Sequence, residues 1–206
     1  MMAALTAAEA GIEVILLERS VQRGCNAEFS GGLIQGAGTR FQAAAGIEDS
    51  PAQLAEDLIR QNKGECRPEI VDMVARRSAD VIHFLVDTAG LDLRLDQRVL
   101  YAGHSTYRMH ATPEETGQEL IKGLRSFTRN HPLVEFVDDA EVTALEAHAD
   151  HHVVTVRRSE TEVDSLEAQH VILATAGFGA NRDLLRTYIG DIADAPFVGS
   201  ENSIGT

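Results

Sequence analysis

The sequence predicts an α/β fold in which the back half of a βαβ-type unit leads into a helical insertion and then an antiparallel β-meander. Three observations carry this. The opening residues MMAALTAAEAGIEVILLERS read as an alanine-rich helix closed by Gly11, then a four-residue apolar strand, Val14 to Leu17, that ends on Glu18. Between about residues 50 and 130 the apolar residues recur at helical spacing. Beyond Pro132 the period changes to the alternation of strands.

An acid at the tip of a strand that follows such a helix is placed to accept hydrogen bonds from both hydroxyls of a ribose. The strand and glycine-rich turn expected ahead of that helix are missing, so the unit is read as partial. The next segment, Arg23 to Thr39 (RGCNAEFSGGLIQGAGT), holds five glycines among small and polar residues. Glycine permits positive φ and removes the Cβ that blocks close approach, so the segment reads either as a surface loop or as one that wraps a ligand. Its place directly after Glu18 favours the second reading.

Ser50-Pro51-Ala52-Gln53 opens a helix with an N-cap serine, proline at the first position and a glutamine set for a capping box; Leu54, Leu58 and Ile59 form its stripe. A second helix is expected from Pro68 to about Ala89, stopped by Gly90. His83 within it reads as a core or rim histidine. Leu91 to Pro113 is expected to be a long connection containing GHSTYRMH, in which His104, Ser105, Tyr107, Arg108 and His110 either face a ligand or stabilise the loop itself. Thr116 to Glu119 then caps a helix carrying Leu120, Leu124 and Phe127, which ends before His131-Pro132. Strands are expected at Val134 to Val137, Glu141 to Ala147, His152 to Arg157 and His170 to Thr175. His148, His151 and His152 surround the middle turn, read as a solvated tip over a metal site. The last strand runs through Ala174-Thr175-Ala176-Gly177 into a helix capped by Asn181, with Asp183 in its first turn.

Composition sets limits on function. The 206 residues are 44% apolar, enough for one large core or two small ones, and the net charge of −14 argues against binding nucleic acid. No run approaches the roughly 20 apolar residues of a membrane span, and the N-terminus lacks the pattern of a signal peptide. A soluble, cytoplasmic protein is expected. Cys25 and Cys66 share no metal or disulfide spacing, so no metal is expected.

The series LLERS, RGCNAEFSGGLI, GIEDSPAQLAEDL, GHSTYRMH, EVTAL and VILATAGFGANRDLL resembles, in the same order, the FAD-binding domain of the fumarate reductase/succinate dehydrogenase flavoprotein family. That family includes flavocytochrome c type fumarate reductases, 3-ketosteroid dehydrogenases and tricarballylate dehydrogenase-like enzymes. The resemblance implies a partial FAD/NAD(P)-binding Rossmann-like domain of the glutathione reductase type over residues 1–195, with the helical insertion at about 50–130 and the β-meander at about 134–175. Residues 196–206 are similar to the start of the connection to a capping domain that is absent here.

The resemblance also implies roles. Glu18, with Arg19 and Ser20 beside it, matches the adenosine ribose site. Asn26, Ala27, Ser30, Gly31 and Gly32 match the loop around the pyrophosphate and flavin. Val142 matches a valine whose backbone meets the adenine edge, and Ala174, Thr175, Ala176 and Gly177 match a turn beside the cofactor. Two departures from the family pattern are Cys25 and Ala176, each at a position usually held by glycine; positive φ at either would cost about 1 kcal/mol or more. Cys25 is read as a small packed residue over a redox thiol.

The implied chemistry is hydride transfer between non-covalently bound FAD and a C–C bond next to a carbonyl or carboxylate. The substrate, a small carboxylate or ketone, would be held through the capping domain, with an electron-transfer partner beyond the chain. Arg108, His104 and His110 are candidates for the substrate side, and no catalytic residue is assigned. This chain alone is expected to hold FAD weakly or not at all and to be inactive. The alternatives are another oxidase or dehydrogenase of the two-dinucleotide flavoprotein group, or a degenerate non-catalytic domain.

Overall fold

The computed structural model describes residues 1–205. In chain order its elements are α1 (Met2–Glu9), β1 (Val14–Leu17), a 3-10 turn (Asn26–Phe29), β2 (Ile34–Gln35), α2 (Arg40–Ala44) and α3 (Pro51–Gln61). There follow α4 (Pro68–Asp87), β3 (Arg94–Asp96), β4 (Met109–Ala111), α5 (Gly117–Asn130) and β5 (Val134–Val137). The chain closes with β6 (Glu141–Ala147), β7 (His152–Arg157), β8 (Val163–Ala168), α6 (Arg182–Tyr188) and a 3-10 turn (Gly190–Asp194). The chain is mixed α/β and divides into two compact units, one formed by Met1–Phe29 with Thr128–Thr206, the other by Ser30–Phe127.

In the first unit β1 pairs in parallel with β5, Val14 opposite Val134 and Leu17 opposite Val137. Gly11, at φ 82, turns the chain from α1 into β1. The small side chains of α1 let it lie close on this pair, so that Ala4 and Ala8 pack with Val134, Val14, Leu16 and Leu133. The meander β6-β7-β8 is antiparallel throughout. Its inner face buries Ala140, Val154 and Val156, against which Leu17, Val137, Val142, Leu166 and Val171 pack.

The second unit is built on α3 and α4 beside a three-stranded antiparallel sheet of order β2-β4-β3. Ser50 caps α3 by accepting from the Gln53 amide at 3.2 Å, and Pro51 holds the first position. Gly90, at φ 68, follows the end of α4. Ala37, Leu54 and Ala75 are fully buried together. Burial of a leucine such as Leu54 is worth about 2 kcal/mol.

The expected helices and the first three strands expected beyond Pro132 fall where the sequence places them, with α2 as an addition, but three expectations are corrected. Residues 170–175 form no strand: Ile172 is 70% and Leu173 63% exposed, and no described strand pairs with them. An apolar run becomes a strand only when a neighbour takes its backbone hydrogen bonds. The third meander strand is instead β8, whose VDSLEA sequence carries one large apolar inner residue, Leu166. The stretch from Leu91 to Pro113 is no plain connection, since β3 and β4 pair within it, Arg94 opposite Ala111 and Asp96 opposite Met109. At Ser50 the serine half of the capping box is made, whereas the full reciprocal box occurs at Thr39 and Gln42, opening α2.

Candidate functional site

In the first unit, Glu18 follows directly on β1. Its amide donates to Val137 O at 2.9 Å, its carbonyl accepts from Ala140 at 3.0 Å, and its carboxylate accepts from the Ser20 amide at 3.0 Å. The strand end thus fixes the backbone while the Ser20 turn orients the acid. Val142 lies in β6 opposite Val156, and the register slips between Val142 and Ala144. That irregularity takes Thr143 out of the ladder beside Val142 and re-aims the local backbone. Val142 and Leu17 pack on the same core cluster, which brings the bulge and the Glu18 end of β1 onto one core.

Asn26 opens the 3-10 turn after Gly24 and Cys25. Its Oδ1 accepts from the Ser200 amide at 2.8 Å and its Nδ2 donates to Ser203 Oγ at 3.0 Å. Asn202 Nδ2 donates to Ser20 O at 2.7 Å, Gly24 O at 3.0 Å and Glu18 Oε1 at 3.4 Å. Ser200 Oγ donates to Gly24 O at 2.7 Å. Farther along, the Gly205 amide donates to Gly177 O at 3.2 Å, and the Ser203 carbonyl accepts from Ala180 at 2.7 Å. Residues 200–205 therefore join three groups that the sequence singles out: Glu18 and Ser20, Asn26, and the turn at Gly177. Arg19 is half-buried beside them, and Ala27, Ala174 and Thr175 are exposed.

Sequence reasoning missed Ser200 and Asn202, which lie more than 170 positions from their partners. The signal available was a run of polar residues, SENS, after an apolar stretch.

Of the two departures, Ala176 has φ 61 and sits in the left-handed region, whereas Cys25 does not. Left-handed backbone costs a residue with a Cβ roughly 1–2 kcal/mol. A Cβ at Gly177 would meet nothing within 4 Å, so packing within the chain does not require a glycine there.

In the second unit, the Ser30 carbonyl accepts from the Gly117 amide at 2.8 Å and Ser30 Oγ accepts from the Gly32 amide at 3.1 Å. Gly32 has φ 66, and a Cβ there would lie 2.6 Å from Thr116 O. Its glycine is demanded by the protein backbone itself. Gly31 is exposed, and a Cβ there would meet only Leu33, at 3.8 Å.

The GHSTYRMH cluster is self-contained. Arg108 is fully buried; its Nε and Nη2 donate to Asp49 at 3.0 Å each and its Nη1 to Asp57 at 2.7 Å. Asp57 also accepts from the Ser105 amide and hydroxyl, both at 2.8 Å, and pairs with Arg60. Burial opposes ionisation of Asp57, but the hydrogen bonds from Ser105, Arg60 and Arg108 outweigh it and hold the carboxyl well below the usual carboxylate range. His110 is also fully buried, with Nδ1 3.0 Å from Arg108 O and Nε2 3.0 Å from Thr39 Oγ1.

Burial pushes the His110 pKa down despite the hydrogen bond to the Arg108 carbonyl, so the ring is neutral at pH 7, with its proton on Nδ1 facing that carbonyl. His104 is shifted down by burial and by the Arg108 charge. Arg108 and His110 are thus structural groups, and the expectation that they line a substrate is corrected. Asp57 could have been found in the sequence: it occupies the apolar stripe of α3 with Leu54 and Leu58, where a carboxylate needs a buried cation.

His148 and His151 stack at 4.6 Å on the β6–β7 turn, where the His148 amide bonds the His151 carbonyl. Among the described residues no three His, Cys, Asp or Glu side chains are grouped to hold a metal ion, and no helix is long and apolar enough to cross a membrane.

Comparison with known proteins gives a consistent picture. A family described as FAD binding domain matches the chain over residues 1–206. A probable fumarate reductase of Shewanella frigidimarina is 29% identical over 90% of this chain and 32% of its own length. A urocanate reductase of Eggerthella lenta is 30% identical over 90% of this chain and 31% of its own length. The open conformation of a flavocytochrome c3 fumarate reductase superposes with a TM-score of 0.87 at 26% identity, covering 98% of this chain and 36% of that one. The chain spans about a third of the length of these relatives.

Proposed function

The chain belongs to the FAD binding domain family, and from that premise we propose that it is the nucleotide-holding part of an FAD-dependent oxidoreductase acting on a C–C bond next to a carbonyl or carboxylate. The observation that carries this reading is the Glu18 carboxylate, set at the end of β1 by the Ser20 amide and sharing a core with the bulge at Val142. The residues present fit the adenosine half of FAD. Glu18 is a ready acceptor for ribose hydroxyls, and the displaced backbone beside Val142 is suited to the polar edge of adenine. Gly177 offers a bare backbone where the fold itself asks for none. Asn26, Ala27, Ser30, Gly31 and Gly32 are assigned to the pyrophosphate and flavin side. No histidine stands between Gly24 and Gly32, consistent with non-covalent binding.

FAD supplies, when bound, a two-electron hydride donor or acceptor. This chain's part is to hold and orient the nucleotide end, so that binding energy fixes the reactive ring against the substrate. Fumarate and urocanate, named for two relatives, are both acids with a C=C bond conjugated to a carboxylate, which supports that substrate class. Substrate contacts, the proton donor and the electron-transfer partner are assigned to other parts of the protein, and the site of action to the cytoplasm. Titrating the purified chain with FAD by flavin fluorescence tests the reading. Saturable one-to-one binding, even if weak, is expected; a folded chain that never saturates would overturn it.

A further inference from the structure

Resting on that reading, we infer that Asn202 is a positioning residue of the adenosine site, set by the 199–205 strap so that it orients Glu18 and offers its own carbonyl to the same ribose. The amide orientation is forced. Its nitrogen faces Ser20 O at 2.7 Å, Gly24 O at 3.0 Å and Glu18 Oε1 at 3.4 Å, all acceptors, and a flip would set oxygen against oxygen. The other end, Oδ1, is buried and has no hydrogen-bond partner among the described residues. A buried acceptor of this kind calls for a donor. It belongs to the residue whose nitrogen bonds Glu18, the acid assigned to the ribose.

A ribose diol supplies the needed donors, one hydroxyl for Glu18 and one for Asn202 Oδ1. The strap holds Asn202 in place through neighbours that are themselves engaged. Ser200 and Ser203 are 1% and 2% exposed, and both bond Asn26. Gly199 has no room for a side chain, since a Cβ would lie 2.8 Å from Asn26 Oδ1. The strap therefore ties the ribose acid to the loop assigned to the pyrophosphate.

The test is calorimetric titration of the full chain with ADP and with FAD. Asn202→Ala should weaken both by about tenfold, the loss of one or two good hydrogen bonds. Asn202→Asp keeps the shape but sets a second carboxylate against Glu18, and should weaken binding at least as much. FMN, which lacks the adenosine, should bind both variants like the unaltered chain. A purely structural role for Asn202 predicts an equal loss for FMN. The inference is overturned if Asn202→Ala and Asn202→Asp bind ADP like the unaltered chain, or if they lose as much affinity for FMN as for FAD. If the unaltered chain itself binds neither ADP nor FAD, the proposed function falls and this inference with it.

Discussion

Replacing Arg108 by alanine removes the cation at the centre of the second unit, and the cost can be worked from its partners. The guanidinium makes two bonds to Asp49 at 3.0 Å, one to Asp57 at 2.7 Å and one to Ser105 Oγ at 3.3 Å. The Asp49 and Asp57 side chains are 0% and 3% exposed. Removing one partner of a buried pair costs about 3–5 kcal/mol, because the remaining charge stays desolvated. Here two carboxylates are stranded, but each keeps other donors: Gln42 and the Ser50 amide for Asp49, and Ser105 and Arg60 for Asp57. The expected loss is therefore about 3 kcal/mol, a large share of a stability of roughly 5–15 kcal/mol. Arg108→Lys keeps the charge without the planar fork and should lose about half as much. Urea unfolding followed by circular dichroism measures both. A loss under about 1 kcal/mol for Arg108→Ala would refute the view that this network holds the unit together.

Three further outcomes follow from the same structure. Asp57 has a folded pKa below its unfolded value near 4, so its contribution is fully present above about pH 4 and is lost as pH falls below it; Asp57→Asn should flatten that acid limb of urea-measured stability. Ala176→Gly relieves roughly 1–2 kcal/mol of left-handed strain against up to about 1 kcal/mol of added unfolded-state entropy, so a thermal melt should move up by a few degrees or less, and a clear fall would contradict the φ of 61. Gly32→Ala faces both positive φ and the Thr116 carbonyl at 2.6 Å and should cost about 2 kcal/mol or more, whereas Gly31→Ala, with only Leu33 nearby, should change stability by less than about 1 kcal/mol.

Much of the architecture was legible because local chemistry and tertiary structure agree. Ser50, Pro51 and Gly90 mark helix ends by the backbone groups they satisfy or the φ they allow, and those ends lie where the residues put them. Residues 170–175 and β8 failed for complementary reasons. Hydrophobicity reports what a segment would bury against, and Ile172 and Leu173 stand exposed without a paired strand, while β8 is held by its register with β7 despite a polar sequence. At the site, Glu18 was readable because an acid at a strand tip is local information. Asn202 was not, since only the folded chain brings it to Glu18. The meaning of Arg108 turned on burial, which a cluster of polar letters does not reveal.

The claim that Glu18 holds the ribose of FAD is tested most directly by comparing FAD with FMN, which lacks the adenosine, on the unaltered chain and on Glu18→Gln. The account predicts that the substitution weakens FAD by about tenfold or more, the value of a charged hydrogen bond, and leaves FMN unchanged. Equal FAD affinity for the two proteins, or an equal loss for FAD and FMN, would contradict it.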